Sequence, residues 1–244
     1  MPRFFVEADA ISDGVIYVKG QDAFHIARSL RMAVGDGLTV CDGRGTEYLT
    51  ELTKIRDEAC ECRILSSVRG EGEMPFPVTL FMAYPKGDKL EQIVQKAVEL
   101  GAARIVPFES SRCIKRPKAE KIDKQLLRLS RIAEEAAKQC GRSALPEVSL
   151  PIGFEAMLKE ASASELALFS YEGEGELTVK GALRGFKGGG ISVIVGCEGG
   201  FSPEEAEAAR LAGCLSVSLG KRILRCETAP AYLLSAISYE LELG

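Results

Sequence analysis

Two segments near the carboxyl end carry the residues best suited to chemistry. The first, Ile194-Val195-Gly196-Cys197-Glu198-Gly199-Gly200-Phe201-Ser202-Pro203-Glu204-Glu205, reads as strand, glycine loop and helix start. Ser202 suits an N-cap, Pro203 the first helical position, and Glu205 the reciprocal partner of a capping box. Three glycines just before it leave backbone amides open to a ligand, at the carboxyl end of a strand where open α/β sheets bind theirs. The loop matches neither GxGxxG nor a GxxxxGK phosphate loop, and Glu198 would repel a phosphate. Its chemistry favours hydroxyls, amino groups or a cation, as in a nucleoside without phosphates. The plainer alternative is a tight turn with Glu198 in water.

The second segment, Ser218-Leu219-Gly220-Lys221-Arg222-Ile223-Leu224-Arg225-Cys226-Glu227-Thr228-Ala229-Pro230, again leads from a strand through a loop into a helix. Leu219, Ile223 and Leu224 could form walls for a flat ring, while Arg222 and Arg225 could face an anion or a developing negative charge. The plainer alternative is a loop packed on its own domain with its arginines in water. Glu227 and Thr228 read most simply as the cap of the final helix.

Other chemistries lack raw material. Eight cysteines fall at positions 41, 60, 62, 113, 140, 197, 214 and 226 with no CxxC pair, and His25 is the one histidine. Zinc clusters, redox motifs and histidine triads are therefore unsupported, and the expectation is no metal. The scattered cysteines read as small buried hydrophobes.

The elements that must position these loops follow from composition and pattern. With 244 residues, 46% hydrophobic and 27% charged, the chain has the usage of an ordinary globular protein. No apolar run approaches the roughly 20 residues of a membrane span, and the first residues do not resemble a signal peptide. A cytoplasmic protein is expected. The net charge of −4 is uneven: residues 104–131 carry 9 basic and 3 acidic side chains, net +6. Lys115, Arg116, Lys118, Lys121, Lys124, Arg128 and Arg131 read either as a polyanion-binding helix face or as a solvated one.

Residues 1–72 hold β-rich runs at Gly14–Val18, Leu38–Val40, Tyr48–Leu52 and Ala59–Leu65, with a helical pattern only over Asp22–Met32. This predicts a small β-barrel. A Gly/Pro-rich linker, Arg69–Pro77, follows. Beyond it, apolar strands alternate with helices: Val78–Tyr84, Lys89–Leu100, Arg104–Phe108, a helix within 119–140, Leu166–Ser170, Ile191–Val195, Pro203–Ala212, Leu215–Leu219 and about Ala229–Leu241. That alternation predicts an α/β domain, residues 73–244, with a mostly parallel sheet.

The two loops together resemble signatures of the RsmE family of 16S rRNA (uracil-N3)-methyltransferases, in the SPOUT superfamily. Lys86-Gly87-Asp88-Lys89, Gln95 to Gly101, and Glu135 to Arg142 are similar to further signatures of that family. Pro2-Arg3-Phe4-Phe5 and His25 to Arg31, with Gly35-Asp36, resemble its PUA-like domain. The resemblance spans nearly the whole chain. It implies a SPOUT-type mostly parallel sheet with a carboxy-terminal deep trefoil knot, a small amino-terminal PUA-like β-barrel, and a homodimer. It implies S-adenosylmethionine as cofactor, and 16S rRNA or the small ribosomal subunit as partner.

The resemblance also assigns roles. Cofactor contacts fall to Ser170, Tyr171, Gly196, Glu198, Gly199, Gly200, Leu219, Gly220, Arg222, Ile223, Leu224 and Thr228. Arg225, then Arg142, would stabilise a uracil that loses its N3 proton, with Glu227 a candidate base. Arg3, His25, Arg28, Arg31 and Lys89 would contact RNA. The family often has proline at position 197 and threonine at 226, where this chain has Cys197 and Cys226, both small enough to leave cofactor binding intact. Competing expectations are a ribose 2′-O methyltransferase of the same superfamily, a non-catalytic RNA-binding protein, and a nicotinamide-dependent dehydrogenase that lacks its fingerprint.

Overall fold

Turn chemistry organises the amino-terminal region. Asp42 accepts hydrogen bonds from the backbone amides of Arg44 at 2.8 Å and Thr46 at 2.9 Å, and Gly43 and Gly45 supply the positive φ the reversal needs. The computed structural model, which describes residues 1–114, 116, 119–171 and 177–243, forms two compact units. Lys115 and Lys118 of the basic segment lie outside the described residues.

The first unit comprises Met1–Glu73 and Ala137–Leu145. Its strands are β1 (Arg3–Phe5), β2 (Ile11–Ser12), β3 (Val15–Lys19), β4 (Gly37–Cys41), β5 (Thr46–Ile55) and β6 (Ala59–Arg69), in the order β1-β4-β5-β6-β3-β2. All pairings are antiparallel except β1 with β4. Alternate residues Ile16, Val18, Leu38, Val40, Leu52, Cys60 and Cys62 point into one core, closed by Ala23 and Ile26. Burial pushes the Cys62 thiol up to about 12, so it remains a neutral core group. Helix α1 (Gly20–Phe24) passes into a π-helical turn, His25–Ser29, and the chain reverses at Arg31 with φ of 52°. The helical segment is thus shorter and less regular than its sequence pattern suggests.

The first residues of the Gly/Pro-rich stretch are packed within the first unit. Arg69 is the last residue of β6, and a side chain at Gly70 would collide with Ser143, while one at Gly72 would meet the Gly141 carbonyl at 3.0 Å. Its glycines thus allow residues 141–143 to pack against the chain. A single cut after residue 72 does not describe the division, because Ala137–Leu145 returns to the first unit.

The second unit contains β7 (Val78–Ala83), α2 (Lys89–Glu99), β8 (Arg104–Glu109), α3 (Ala119–Cys140, whose last turn belongs to the first unit), β9 (Glu147–Val148), β10 (Ile152–Gly153) and α4 (Phe154–Ala161). It continues with β11 (Leu166–Ser170), β12 (Leu177–Thr178), α5 (Val179–Leu183), β13 (Ile191–Val195), α6 (Pro203–Leu211), β14 (Leu215–Ser218) and α7 (Thr228–Leu241). The sheet order is β10-β8-β7-β13-β11-β14-β12, with β9 also on β8, and every described pairing is parallel. All five residues of β13 are buried, as expected of a strand covered on both faces. Because β11, β13 and β14 run parallel, their carboxyl ends release residues 170, 196 and 219 along one edge. No described helix is long and apolar enough to cross a membrane.

Candidate functional site

At that edge lies a cavity of about 650 Å³, in the size range of small-molecule sites. The Ser170–Tyr171 end, the 195–201 loop, Val217, Leu219, the 222–226 loop and Ala229 line it, together with Arg112. Ser170, Tyr171, Gly196, Glu198, Gly199, Gly200, Leu219, Arg222, Ile223, Leu224 and Arg225 are thereby brought together. Gly220 and Thr228 belong to the same segment without lining the cavity.

The floor is a rigid turn. Gly200 donates its amide to the Cys197 carbonyl at 2.9 Å and adopts φ of 62°, while a Cβ on Gly196 would sit 3.1 Å from both the Gly200 Cα and the Phe201 ring. Phe201 is buried, with its ring centre 4.3 Å from Phe169 and stacked on Phe108 at 6.2 Å. The capping box forms as expected: the Ser202 hydroxyl accepts from the Glu205 amide at 3.2 Å, and the Glu205 carboxylate accepts from the Ser202 amide at 3.0 Å. Glu205 also accepts from the Ser111 amide at 2.6 Å, which ties the loop after β8 to α6.

Charge in the site is sorted rather than scattered. Glu198 accepts from the Lys86 amide at 3.1 Å and pairs with Lys89 at 3.0 Å; Lys89 pairs with Glu227, also at 3.0 Å. Burial pushes Glu198 up, but hydrogen bonds from its own amide, Lys89 and Lys86 outweigh this and hold it below the ordinary carboxylate value. Glu227 is lowered the same way: burial is overcome by its own amide, Lys89 and Cys226. Glu227 and then Glu198 raise Lys89. The ammonium therefore joins the two site loops.

Glu227 stands at the N-cap of α7, yet its side chain makes no capping bond; its carboxylate serves Lys89 instead. Burial lifts the Cys226 thiol to about 12, so it is neutral. Cys197 hydrogen-bonds Cys113, which lowers the Cys113 thiol and raises its own. Among the described residues, Arg112, Arg222 and Arg225 make no ion pair. A cation-rich wall thus faces a cavity in which Glu198, the one lining carboxylate among the described residues, is already neutralised.

The remaining expected residues sit in the first unit. Arg142 is 3% exposed and donates to Glu73 at 3.0 Å from Nε and 2.6 Å from Nη2, while Glu73 also accepts from the Ser143 and Ala144 amides. A guanidinium so buried needs a carboxylate partner, and Glu73 supplies it. Arg3 pairs with Glu47 and reaches the Cys41 sulfur at 3.0 Å. Arg28 pairs with Asp57 at 2.6 Å on the surface, Arg31 is exposed, and His25 is exposed with its ring edge-on to Phe4. Among the described residues no His, Cys, Asp and Glu group of three or more could hold a metal.

Arg112 was not anticipated from the sequence. It follows an apolar strand in an undistinguished Ser110-Ser111-Arg112-Cys113 run, and the Ser111–Glu205 bond that ties this loop to α6 holds it beside Gly199, 87 residues away.

Comparison with known proteins accounts for both units. A family described as "RNA methyltransferase domain" matches residues 72–238, and one described as "RNA methyltransferase PUA domain" matches residues 18–65. The chain is 34% identical to ribosomal RNA small subunit methyltransferase E of Bacillus subtilis, covering 100% of this chain and 98% of that protein. It is 32% identical to the protein of the same name in Synechocystis, covering 98% and 78%. Among solved structures, that of ribosomal RNA small subunit methyltransferase E from Neisseria gonorrhoeae bound to S-adenosylmethionine superposes with a TM-score of 0.87 at 32% identity, over 98% of this chain and 97% of the other. With a parallel α/β unit, a PUA-like unit and this likeness over its full length, the chain belongs to the ribosomal RNA small subunit methyltransferase E family.

Proposed function

We propose that this chain transfers a methyl group from S-adenosylmethionine to N3 of a uridine in 16S rRNA, as free RNA or within the small ribosomal subunit, in the cytoplasm. One observation carries the reading: three parallel strand ends deliver a glycine loop and two loop arginines, without an ion pair among the described residues, to one cavity of about 650 Å³. The cavity suits the cofactor chemically. Backbone groups of Gly196, Gly199, Gly200, Leu219, Ile223 and Leu224 would hold an adenosine by shape and amide contacts, with Ser170 and Tyr171 beside them, except that the Gly200 amide is spent on Cys197 and the Gly199 carbonyl on Arg112. Glu198, Gly220, Arg222 and Thr228 support those two loops in this reading.

When bound, the cofactor supplies an electrophilic methyl group on a sulfonium. The protein's task is to make a weak nucleophile reactive. Uracil N3 carries a proton, and its loss places negative charge on the flanking carbonyl oxygens; Arg225, charged at any working pH and without a carboxylate partner among the described residues, would stabilise that charge. Glu227 is already committed to Lys89 and is held more acidic than an ordinary carboxyl, which makes it a poor base. Water is then the proton acceptor. Arg142 enters this reading as a brace of the first unit, and Arg3, His25, Arg28, Arg31 and Lys89 as groups that help seat RNA directly or through neighbours.

The reading includes a knotted carboxyl terminus, supported by β14 inserting between β11 and β12 in the sheet order. It also includes a homodimer, supported by Tyr232 and Tyr239, 45% and 73% exposed and seven residues apart on α7. The decisive experiment incubates the protein with methyl-labelled S-adenosylmethionine and unmodified 16S rRNA or small subunits, then maps the product by mass spectrometry. N3-methyluridine is expected; a ribose 2′-O-methyl product, or no product on either substrate, would overturn the proposal.

A further inference from the structure

The arginine that neither loop contains has the most constrained place at the site. Arg112 Nη1 donates to the Gly199 carbonyl at 2.9 Å, and its stem lies so close to Gly199 that a Cβ there would sit 3.1 Å from the Arg112 Cβ. Gly199 has no left-handed φ, so the packing of Arg112, rather than backbone conformation, is what requires glycine at this position. The turn that carries Arg112 is itself anchored: the Cys113 amide bonds the Ser110 carbonyl at 3.1 Å, the Ser111 amide bonds buried Glu205, and the Cys113 and Cys197 thiols meet. Arg112 is exposed even so. A guanidinium has five N–H donors, and the contact to Gly199 uses one.

The charge balance says what the other donors are for. S-adenosylmethionine carries a sulfonium and an ammonium against one carboxylate, so a cavity lined by three arginines exceeds what it needs. Among the described residues Glu198 cannot absorb the excess, because Lys89 already pairs with it, and Glu204, which feels the Arg112 charge, forms no ion pair with Arg112. The chain leaving Arg112 continues through the net +6 segment 104–131, where Lys121, Lys124 and Arg131 are exposed.

Resting on the methyl-transfer reading above, the geometry points to Arg112 as a positioning residue: one edge of its guanidinium holds the Gly199 carbonyl and the other receives a phosphate of the substrate RNA. RNA seating is thereby coupled to the cofactor loop. A phosphate suits the exposed edge because a planar fork held at one end is already oriented for bidentate contact.

The test compares the parent protein with Arg112→Ala and Arg112→Lys. Affinity for a fluorescently labelled 16S rRNA fragment is measured by anisotropy across salt concentrations, S-adenosylmethionine affinity by calorimetry without RNA, and KM for RNA by turnover. Arg112→Ala is expected to weaken RNA binding about tenfold and to lower the slope of log affinity against log salt by about one, with KM rising more than kcat falls. Arg112→Lys is expected to keep the salt slope while recovering only part of the affinity. An unchanged salt slope in Arg112→Ala, or a loss confined to S-adenosylmethionine affinity, would overturn the proposal and leave Arg112 a loop brace. Failure of the parent to transfer methyl groups would instead strike the methyl-transfer reading, while the anisotropy measurement still decides whether Arg112 contacts RNA.

Discussion

The loops that follow β13 and β14 line the same cavity but are held in opposite ways. Residues 196–202 are fixed from beneath by the Phe201 aromatic cluster, from the side by Arg112 and Glu205, and at the end by a capping box. Residues 219–225 leave Ile223 85% exposed and give their arginines no carboxylate partner among the described residues. A preformed floor lowers the ordering cost of a small ligand, whereas a wall with exposed apolar and cationic groups can close on a second, larger partner. In the proposed reading the division of labour is between a first loop that serves the cofactor alone and a second that adds Leu219, Ile223 and Leu224 to the cofactor's walls and offers Arg225 to the reacting base.

The sharpest way to break that division is Arg225→Ala. It should reduce kcat about 10²- to 10³-fold, the loss typical of deleting one preorganised donor to a developing oxyanion. S-adenosylmethionine affinity should stay within a few fold and the melting temperature unchanged, since Arg225 is exposed and makes no ion pair among the described residues. Single-turnover rates and calorimetry check this together. An intact kcat with lost cofactor affinity would move Arg225 to the cofactor's side of the comparison.

Two glycine substitutions probe the same contrast at smaller amplitude. At Gly196 the obstacle is steric, because a Cβ would press on the Gly200 backbone and the buried Phe201 ring, neither of which can retreat. Gly196→Ala should therefore displace the floor, at a cost of about 1–3 kcal/mol, and weaken S-adenosylmethionine binding about tenfold. At Gly220 nothing lies within 4 Å, but φ is +100°, so Gly220→Ala meets only backbone strain of about 1–2 kcal/mol that an exposed loop can partly relax. Its cofactor affinity should fall less. Calorimetric titration of both variants gives the order, and a reversed order would mean that the second loop, not the first, carries the preformed surface.

How far the sequence foretold this differs between local and long-range features. The capping box at Ser202 and Glu205 was legible because its partners are three residues apart, and β13 because five apolar residues in a row announce a strand buried on both faces. The short α4 and α5 were not, since eight and five residues carry too few turns to show a helical period. Arg142 and Lys89 show why residue type alone does not assign a role. Both are cations in conspicuous motifs, yet burial commits one to Glu73 and the fold places the other between Glu198 and Glu227. These partners lie 69, 109 and 138 residues away, distances at which no periodicity operates.

That same ion triad yields the smallest prediction, because it joins the two loops. Glu198 and Glu227 are held below the ordinary carboxyl value of 4.5, so their contribution to stability is fully present above that pH and is lost as pH falls through their lower folded values. Lys89, raised above 10.5, contributes fully below that pH and loses its contribution only as pH rises through its higher folded value. From about pH 5 to 10 all three are charged, and the triad is one cation between two anions. Lys89→Met leaves two carboxylates facing each other, which should lower the melting temperature by a few degrees at neutral pH, a modest effect because all three groups are partly exposed. The gap to the parent should narrow as the medium is acidified below pH 4.5 and the carboxyls become neutral. Thermal melts from about pH 2 to 8 test this, and parallel curves throughout would mean that Lys89 supports the loops by packing rather than by charge.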